Sequence, residues 1–105
     1  MKRIVLCCSA GMSTSLVVTK MEKAAAERGL ELKIYAIAEQ SLRDELGHYG
    51  DEIIAVLLGP QVRFKLAENK TLTDEHGIPI AVIDSLAYGT LNGAKVLDQA
   101  LSLVS

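Results

Sequence analysis

The residue best suited to chemistry is Cys8, which ends an apolar run (residues 4–8) and begins a turn of small and hydroxyl-bearing residues, CSAGMSTS. A helix is predicted from Ser13. The start of a helix presents N–H groups that have no partner within the helix and carries partial positive charge, so it favours bound anions. The same field favours the thiolate form of a nearby cysteine, which is the nucleophilic form. The segment therefore indicates a cysteine that carries or attacks phosphate.

The phosphate-binding groups are expected directly after Cys8. Backbone N–H groups of residues 9–13 would surround the anion, and Gly11 would let the main chain approach it closely. The hydroxyls near the helix start could donate to the anion or cap the helix. The predicted phosphate-binding residues are Ser9, Ala10, Gly11, Met12, Ser13, Thr14 and Ser15.

The residue six positions after the cysteine separates two kinds of chemistry. Phosphatases of the low-molecular-weight tyrosine type have an arginine there, because its guanidinium binds the equatorial oxygens during both transfer steps. This chain has Thr14, followed by Ser15, which matches the hydroxyl residue after that arginine. The turn could hold phosphate without speeding its hydrolysis, which favours a phosphoryl carrier. The alternative is a small cysteine-dependent phosphatase or arsenate reductase.

Length and composition exclude several other classes of protein. A chain of 105 residues fits a single domain, residues 1–105, and a net charge of −2 argues against a nucleic-acid partner. The apolar run after Met1 is shorter than an export signal, so a cytoplasmic protein without direct membrane insertion is expected. Few aromatic residues, 4%, argue against a flavin-binding module. Since His48 and His76 have no partner at metal-ligand spacing, we expect no metal and no cofactor.

Apolar runs alternate with helical patterns along the chain, which predicts a parallel sheet covered on both faces. The predicted strands span residues 4–8, 30–37, 53–58 and 78–83. The predicted helices span residues 13 to about 28, a segment from Pro60 that weakens beyond Glu68, and residues 92–104. The segment from Pro60 carries the apolar residues Val62, Phe64, Leu66 and Ala67. The fold class is therefore α/β, with three layers, four parallel strands in the order 2-1-3-4 and a flavodoxin-like arrangement, as in low-molecular-weight tyrosine phosphatases.

In such a sheet, ligands bind beyond the carboxyl ends of the strands, here between the first and third strands. Three residues that follow the third and fourth strands should therefore surround the cysteine turn. Gln61 could donate to phosphate or simply begin a helix, and Tyr88 could line the site or contact a protein. Asp84 could be a general acid or could cap the following turn, and capping is favoured. Cys7, adjacent to Cys8 in a strand, should face the core.

Three motifs, in this order, carry a family resemblance: residues 8–15, LLGPQ at residues 57–61 and VIDSLAYG at residues 82–89. Together they resemble the IIB component of the bacterial phosphoenolpyruvate-dependent sugar phosphotransferase system, lactose/cellobiose/chitobiose class. The resemblance implies that a phosphohistidine on a IIA protein passes its phosphoryl group to Cys8. Cys8 would then pass it to a sugar, such as cellobiose, chitobiose or lactose, bound by the IIC membrane transporter. It further implies a cytoplasmic protein that reaches the membrane through IIC, and we expect a monomer that docks transiently.

Overall fold

Four parallel strands form the central sheet, in the predicted order β2-β1-β3-β4. The computed structural model describes residues 1–9 and 12–104, with only the backbone of Met12 and Ser13. The strands are β1 (Lys2–Cys8), β2 (Leu32–Ala38), β3 (Ile53–Leu58) and β4 (Ile80–Val82). The two central strands, β1 from Ile4 onward and the whole of β3, are uniformly apolar, and all of these residues except Ile54 are buried.

Helices connect the strands and cover both faces of the sheet. They are α1 (Met12–Glu27), α2 (Leu42–Tyr49), α3 (Leu66–Glu75), α4 (Ser85–Gly89) and α5 (Gly93–Val104), with short 3-10 helices at Glu39–Ser41 and Pro60–Lys65. As predicted, α1 ends just before Gly29, whose φ of +68° suits glycine, and Leu30 N–H donates to the Ala25 carbonyl at 2.9 Å. None of the described helices is long and apolar enough to cross a membrane.

Alternate residues of β1 pack into two separate cores. Ile4 and Leu6 face α1 and α5, whereas Val5 and Cys7 face α2 and α3. This follows from the period of two along a strand, which directs neighbouring side chains to opposite faces of the sheet. The predicted three-layer architecture is therefore confirmed.

The segment after β3 differs from its prediction. It begins as a 3-10 helix with a non-helical Val62 (φ −117°, ψ 22°), and α3 then continues to Glu75, well beyond the predicted weakening at Glu68. Phe64 does not join the core; its exposed fraction is 76%. Val62 and Phe64 are two residues apart, and such residues do not share a helix face, so burying Val62 turns Phe64 outward.

The edge strands are shorter than predicted. β2 begins at Leu32 because Leu30 belongs to the turn that closes α1. β4 begins at Ile80 because Ile78 N–H donates to the Thr73 carbonyl, at the end of α3. The structure also contains α2 and α4, which the sequence pattern did not locate.

Candidate functional site

Cys8 is the last residue of β1, at the carboxyl end of a central strand. Its exposed fraction is 3%, and its Sγ lies 3.5 Å from the carbonyl oxygen of Ile37 on the adjacent strand β2, to which the thiol can donate. This contact orients the side chain at the edge of the sheet from which α1 departs.

Cys7 has a different environment from its neighbour. Its side chain is fully buried in the core on the α2 and α3 side, as the sequence predicted. Burial is the largest cause that raises the pKa of the Cys7 thiol, to about 12. Cys7 is therefore a protonated, buried thiol at neutral pH.

The turn after Cys8 is only partly described. Ala10 and Gly11 lie outside the described residues, as do the side chains of Met12 and Ser13. Helix α1 begins at Met12, so its first N–H groups lie within the predicted phosphate-binding segment. Ser9 and Ser15, at the two ends of that segment, are exposed.

Thr14 occupies the position that holds arginine in the phosphatases. Its side chain is fully buried, and its Oγ1 lies 3.0 Å from the hydroxyl oxygen of Tyr88, within hydrogen-bond distance. The amide nitrogen of Gln61 donates to the same Tyr88 oxygen, also at 3.0 Å. Three predicted site residues from three different βα connections therefore meet at one hydroxyl group.

Backbone hydrogen bonds align the carboxyl ends of the three strands. Gly59 N–H donates to the Cys7 carbonyl, and Ile83 N–H donates to the Leu58 carbonyl, both at 2.8 Å. A Cβ at Gly59 would overlap the side-chain amide of Gln61. Glycine at this position therefore lets Gln61 turn back toward the end of β1.

Asp84 caps α4. Its Oδ2 accepts from the Ala87 N–H at 2.9 Å, which is the capping arrangement favoured from the sequence. Gln99, which the sequence analysis missed, lies beside this cap: its amide accepts from Asp84 N–H at 2.9 Å and donates to the Val82 carbonyl at 2.7 Å. The available signal was a polar residue directly before Ala100 on an otherwise apolar face of α5.

The described arrangement suits a tetrahedral anion next to a thiol. One edge of the sheet carries Cys8, two exposed serines and the start of α1. Next to them, the side chains of Thr14, Gln61 and Tyr88 are joined by hydrogen bonds. Within residues 1–9 and 12–104, no group of three histidine, cysteine or acidic side chains could bind a metal ion.

Comparisons with known proteins agree with this chemistry. The family model "PTS system, Lactose/Cellobiose specific IIB subunit" matches residues 3–99. The chain is 42% identical to the oligo-beta-mannoside-specific EIIB component of Bacillus subtilis over 104 residues, covering 99% of this chain and 97% of that protein. It is also 42% identical to the galactose-specific EIIB component of Lactococcus lactis over 105 residues, with the same coverage of both chains.

A solved structure of a related protein has the same fold as this chain. The solution structure of a cellobiose-specific phosphotransferase IIB component from Borrelia burgdorferi superposes with a TM-score of 0.74 at 41% identity, covering 98% of this chain and 91% of that one. The matches span nearly the whole sequence, including all three loops that meet at the site. The chain therefore belongs to the lactose/cellobiose-specific IIB subunit family, the phosphotransferases that carry phosphoryl groups in bacterial sugar transport.

Proposed function

We propose that Cys8 is the residue that carries the phosphoryl group. Its thiolate would attack the phosphorus of a phosphohistidine on the IIA component, so that an S–P bond forms as the P–N bond breaks. A hydroxyl of the sugar bound by IIC would then attack the same phosphorus, so that an O–P bond forms as the S–P bond breaks, with release of the Cys8 thiolate and of the hydroxyl proton to solvent. The N–H groups at the start of α1 would stabilise the charge of the phosphoryl group in both steps.

One observation supports the carrier over the phosphatase. Thr14, at the position of the phosphatase arginine, is fully buried and its hydroxyl is bonded to Tyr88. The side chain therefore supplies no guanidinium to the transferring phosphoryl group. Without that group, attack of water on phosphocysteine would lose an important source of transition-state stabilisation.

The direct test is to mix the chain with a phosphorylated IIA protein of this class and follow the intact mass over time. A carrier accumulates one phosphoryl group per chain and loses it only when a membrane preparation that contains IIC and sugar is added. Steady release of free phosphate without accumulation would instead identify a hydrolase. No adduct with any cognate donor would contradict both functions.

A Thr14→Arg variant should not gain phosphatase activity. Position 14 is buried against Tyr88, so an arginine would either leave its charge buried or displace Tyr88 from Gln61. We expect a loss of about 2 kcal/mol in the free energy of unfolding, measured by urea denaturation, and no increase in phosphate release. The matched control is Thr19→Arg, because Thr19 is an exposed residue of the same helix. A stable Thr14→Arg protein that hydrolyses phosphocysteine rapidly would contradict this account.

As a IIB subunit, the chain works with IIA and IIC components. We propose that both approach the same surface, since the donor and the acceptor must each reach Cys8. Leu16, Phe64 and Leu86 are exposed large apolar residues, with exposed fractions of 55%, 76% and 73%. Each lies within three residues of Thr14, Gln61 or Tyr88, which hydrogen bonds hold together. These three apolar residues would form a contact rim around the site.

Phe64→Ala should weaken docking without unfolding the protein. An exposed aromatic side chain in an interface often contributes strongly to binding, so we expect the second-order rate of phosphoryl uptake from IIA to fall about tenfold. Val104→Ala is the control, because Val104 is 47% exposed but lies at the end of α5, outside the rim. Equal uptake rates for wild type and Phe64→Ala, at equal thermal stability, would show that Phe64 is not part of the docking surface.

We further propose that IIC selects the sugar and that the chain acts as a monomer. Relatives with equal identity to this chain have different sugars in their names, oligo-beta-mannoside and galactose, so overall similarity to them does not single out one sugar. The exposed apolar residues of the rim suit transient partners, because the faces of the sheet are already covered by helices.

A further inference from the structure

The hydroxyl of Tyr88 joins two elements that are far apart in the sequence. Thr14 Oγ1 and Gln61 Nε2 each lie 3.0 Å from the Tyr88 oxygen. An amide nitrogen can only donate, so Tyr88 accepts from Gln61 and can donate its own proton to Thr14. Because Thr14 is fully buried, loss of this contact would leave its hydroxyl buried without the hydrogen bond to Tyr88, which would lower stability.

These contacts complete a path between the two ends of the cysteine turn. On one side of the turn, the Cys7 carbonyl accepts from Gly59 N–H at 2.8 Å. Gly59 leads through Pro60 to Gln61, which reaches Thr14 on the other side of the turn through Tyr88. We call this path the bridge and define it as Gly59, Gln61, Tyr88 and Thr14. The bridge connects Cys7, which precedes residues 9–13, to Thr14, which follows them.

Holding both ends of a short segment reduces the number of conformations that it can adopt. The N–H groups of such a segment need less rearrangement when charge is transferred onto them, which is the basis of electrostatic preorganisation. The start of α1 supplies several of these N–H groups, and Thr14 lies in the first turn of that helix. Thr14 thus connects the start of α1 to the bridge.

We propose that Tyr88 is a positioning residue for the phosphoryl transfer. Through Thr14 and Gln61, it holds the start of α1 against the end of β1 and so keeps the first N–H groups of α1 in place for a phosphoryl group on Cys8. The proposal rests on the function proposed for Cys8. It assigns Tyr88 a role through the bridge and not through contact with the phosphoryl group.

The test uses four variants. They are Tyr88→Phe, Thr14→Val, the double variant that combines these two substitutions, and Thr14→Ser, which retains the hydroxyl. Tyr35→Phe is the matched control: Tyr35 also has a bonded hydroxyl, which accepts from Arg3 and donates to Glu45, but in a separate cluster. Amide hydrogen exchange of residues 9–15 is measured on the free protein. Phosphoryl uptake from phosphorylated IIA is measured separately.

We expect Tyr88→Phe and Thr14→Val each to speed exchange in residues 9–15 by about fivefold to tenfold, the range of one lost hydrogen bond. Uptake should slow by a similar factor, the double variant should be no worse than either single variant, and Thr14→Ser should be close to wild type. Tyr35→Phe should lower stability without this local increase in exchange.

Two results would overturn the proposal. The first is exchange in residues 9–15 that is the same in Tyr88→Phe as in wild type or Tyr35→Phe. The second is slow uptake in Tyr88→Phe together with normal uptake in Thr14→Val, which would show that Tyr88 contacts the phosphoryl group directly. Failure of the wild-type chain to take up phosphoryl would instead refute the function proposed for Cys8, and the exchange comparison would still decide whether the bridge orders the turn.

Discussion

Cys8→Ser is expected to abolish the phosphoryl adduct, whereas Cys7→Ala should retain it. A serine hydroxyl is a far weaker nucleophile than a thiolate at neutral pH. Cys7 cannot replace Cys8, because its side chain points into the opposite core and burial raises its pKa to about 12. Intact mass after incubation with phosphorylated IIA measures the adduct in each variant.

Both variants should remain folded, so the comparison tests chemistry. A serine at position 8 can donate to the Ile37 carbonyl in place of the thiol. Cys7→Ala removes one buried sulfur atom and should cost about 1 kcal/mol of stability. An adduct of normal yield on Cys8→Ser, or its loss in Cys7→Ala at unchanged thermal stability, would assign the chemistry to a different residue.

Gly93→Ala is expected to cause a large loss of stability. Gly93 begins α5 and is buried against α1, where an added Cβ would overlap the backbone of Lys20 and Met21. Backbone atoms cannot move aside as a flexible side chain can, so the two helices would have to separate. We expect the free energy of unfolding to fall by about 3 kcal/mol or more, measured by urea denaturation.

Gly47→Ala is the matched control for this substitution. Gly47 lies inside α2, and apart from the neighbouring residues and backbone of α2 itself an added Cβ would have no atom within 4 Å. The same chemical change should therefore raise stability by up to about 1 kcal/mol, since alanine favours the helix more than glycine does. If Gly93→Ala were as stable as Gly47→Ala, close packing between α1 and α5 would not depend on this glycine.

The sequence predicted the sheet well because its signals are local. Residues 53–58 form an uninterrupted apolar run and correspond to β3 at both ends, and the position of Gly29 fixed the end of α1. The opposite directions of Cys7 and Cys8 followed from the geometry of a strand. The cysteine and the small, hydroxyl-rich turn after it lie at the edge of the sheet where Thr14, Gln61 and Tyr88 meet.

Other parts of the site had no local signal. The bond between Thr14 and Tyr88 joins residues 74 positions apart, and nothing in either neighbourhood of the sequence specifies the pair. Helix α2 presents only Leu42 and Leu46 as buried residues, which is too short a repeat to establish a helical period. Phe64 lies among apolar residues in the sequence, yet its spacing from Val62 turns it outward.

The bridge through Tyr88 also has a consequence for how the protein is made. Tyr88 follows Thr14 by 74 positions in the sequence, so the ribosome adds one end of the bridge well after the other. At about 5–20 residues per second, several seconds separate the two events. A growing chain thus contains Cys8 before the bridge can form, and by our proposal efficient phosphoryl uptake from IIA would have to follow the synthesis of Tyr88.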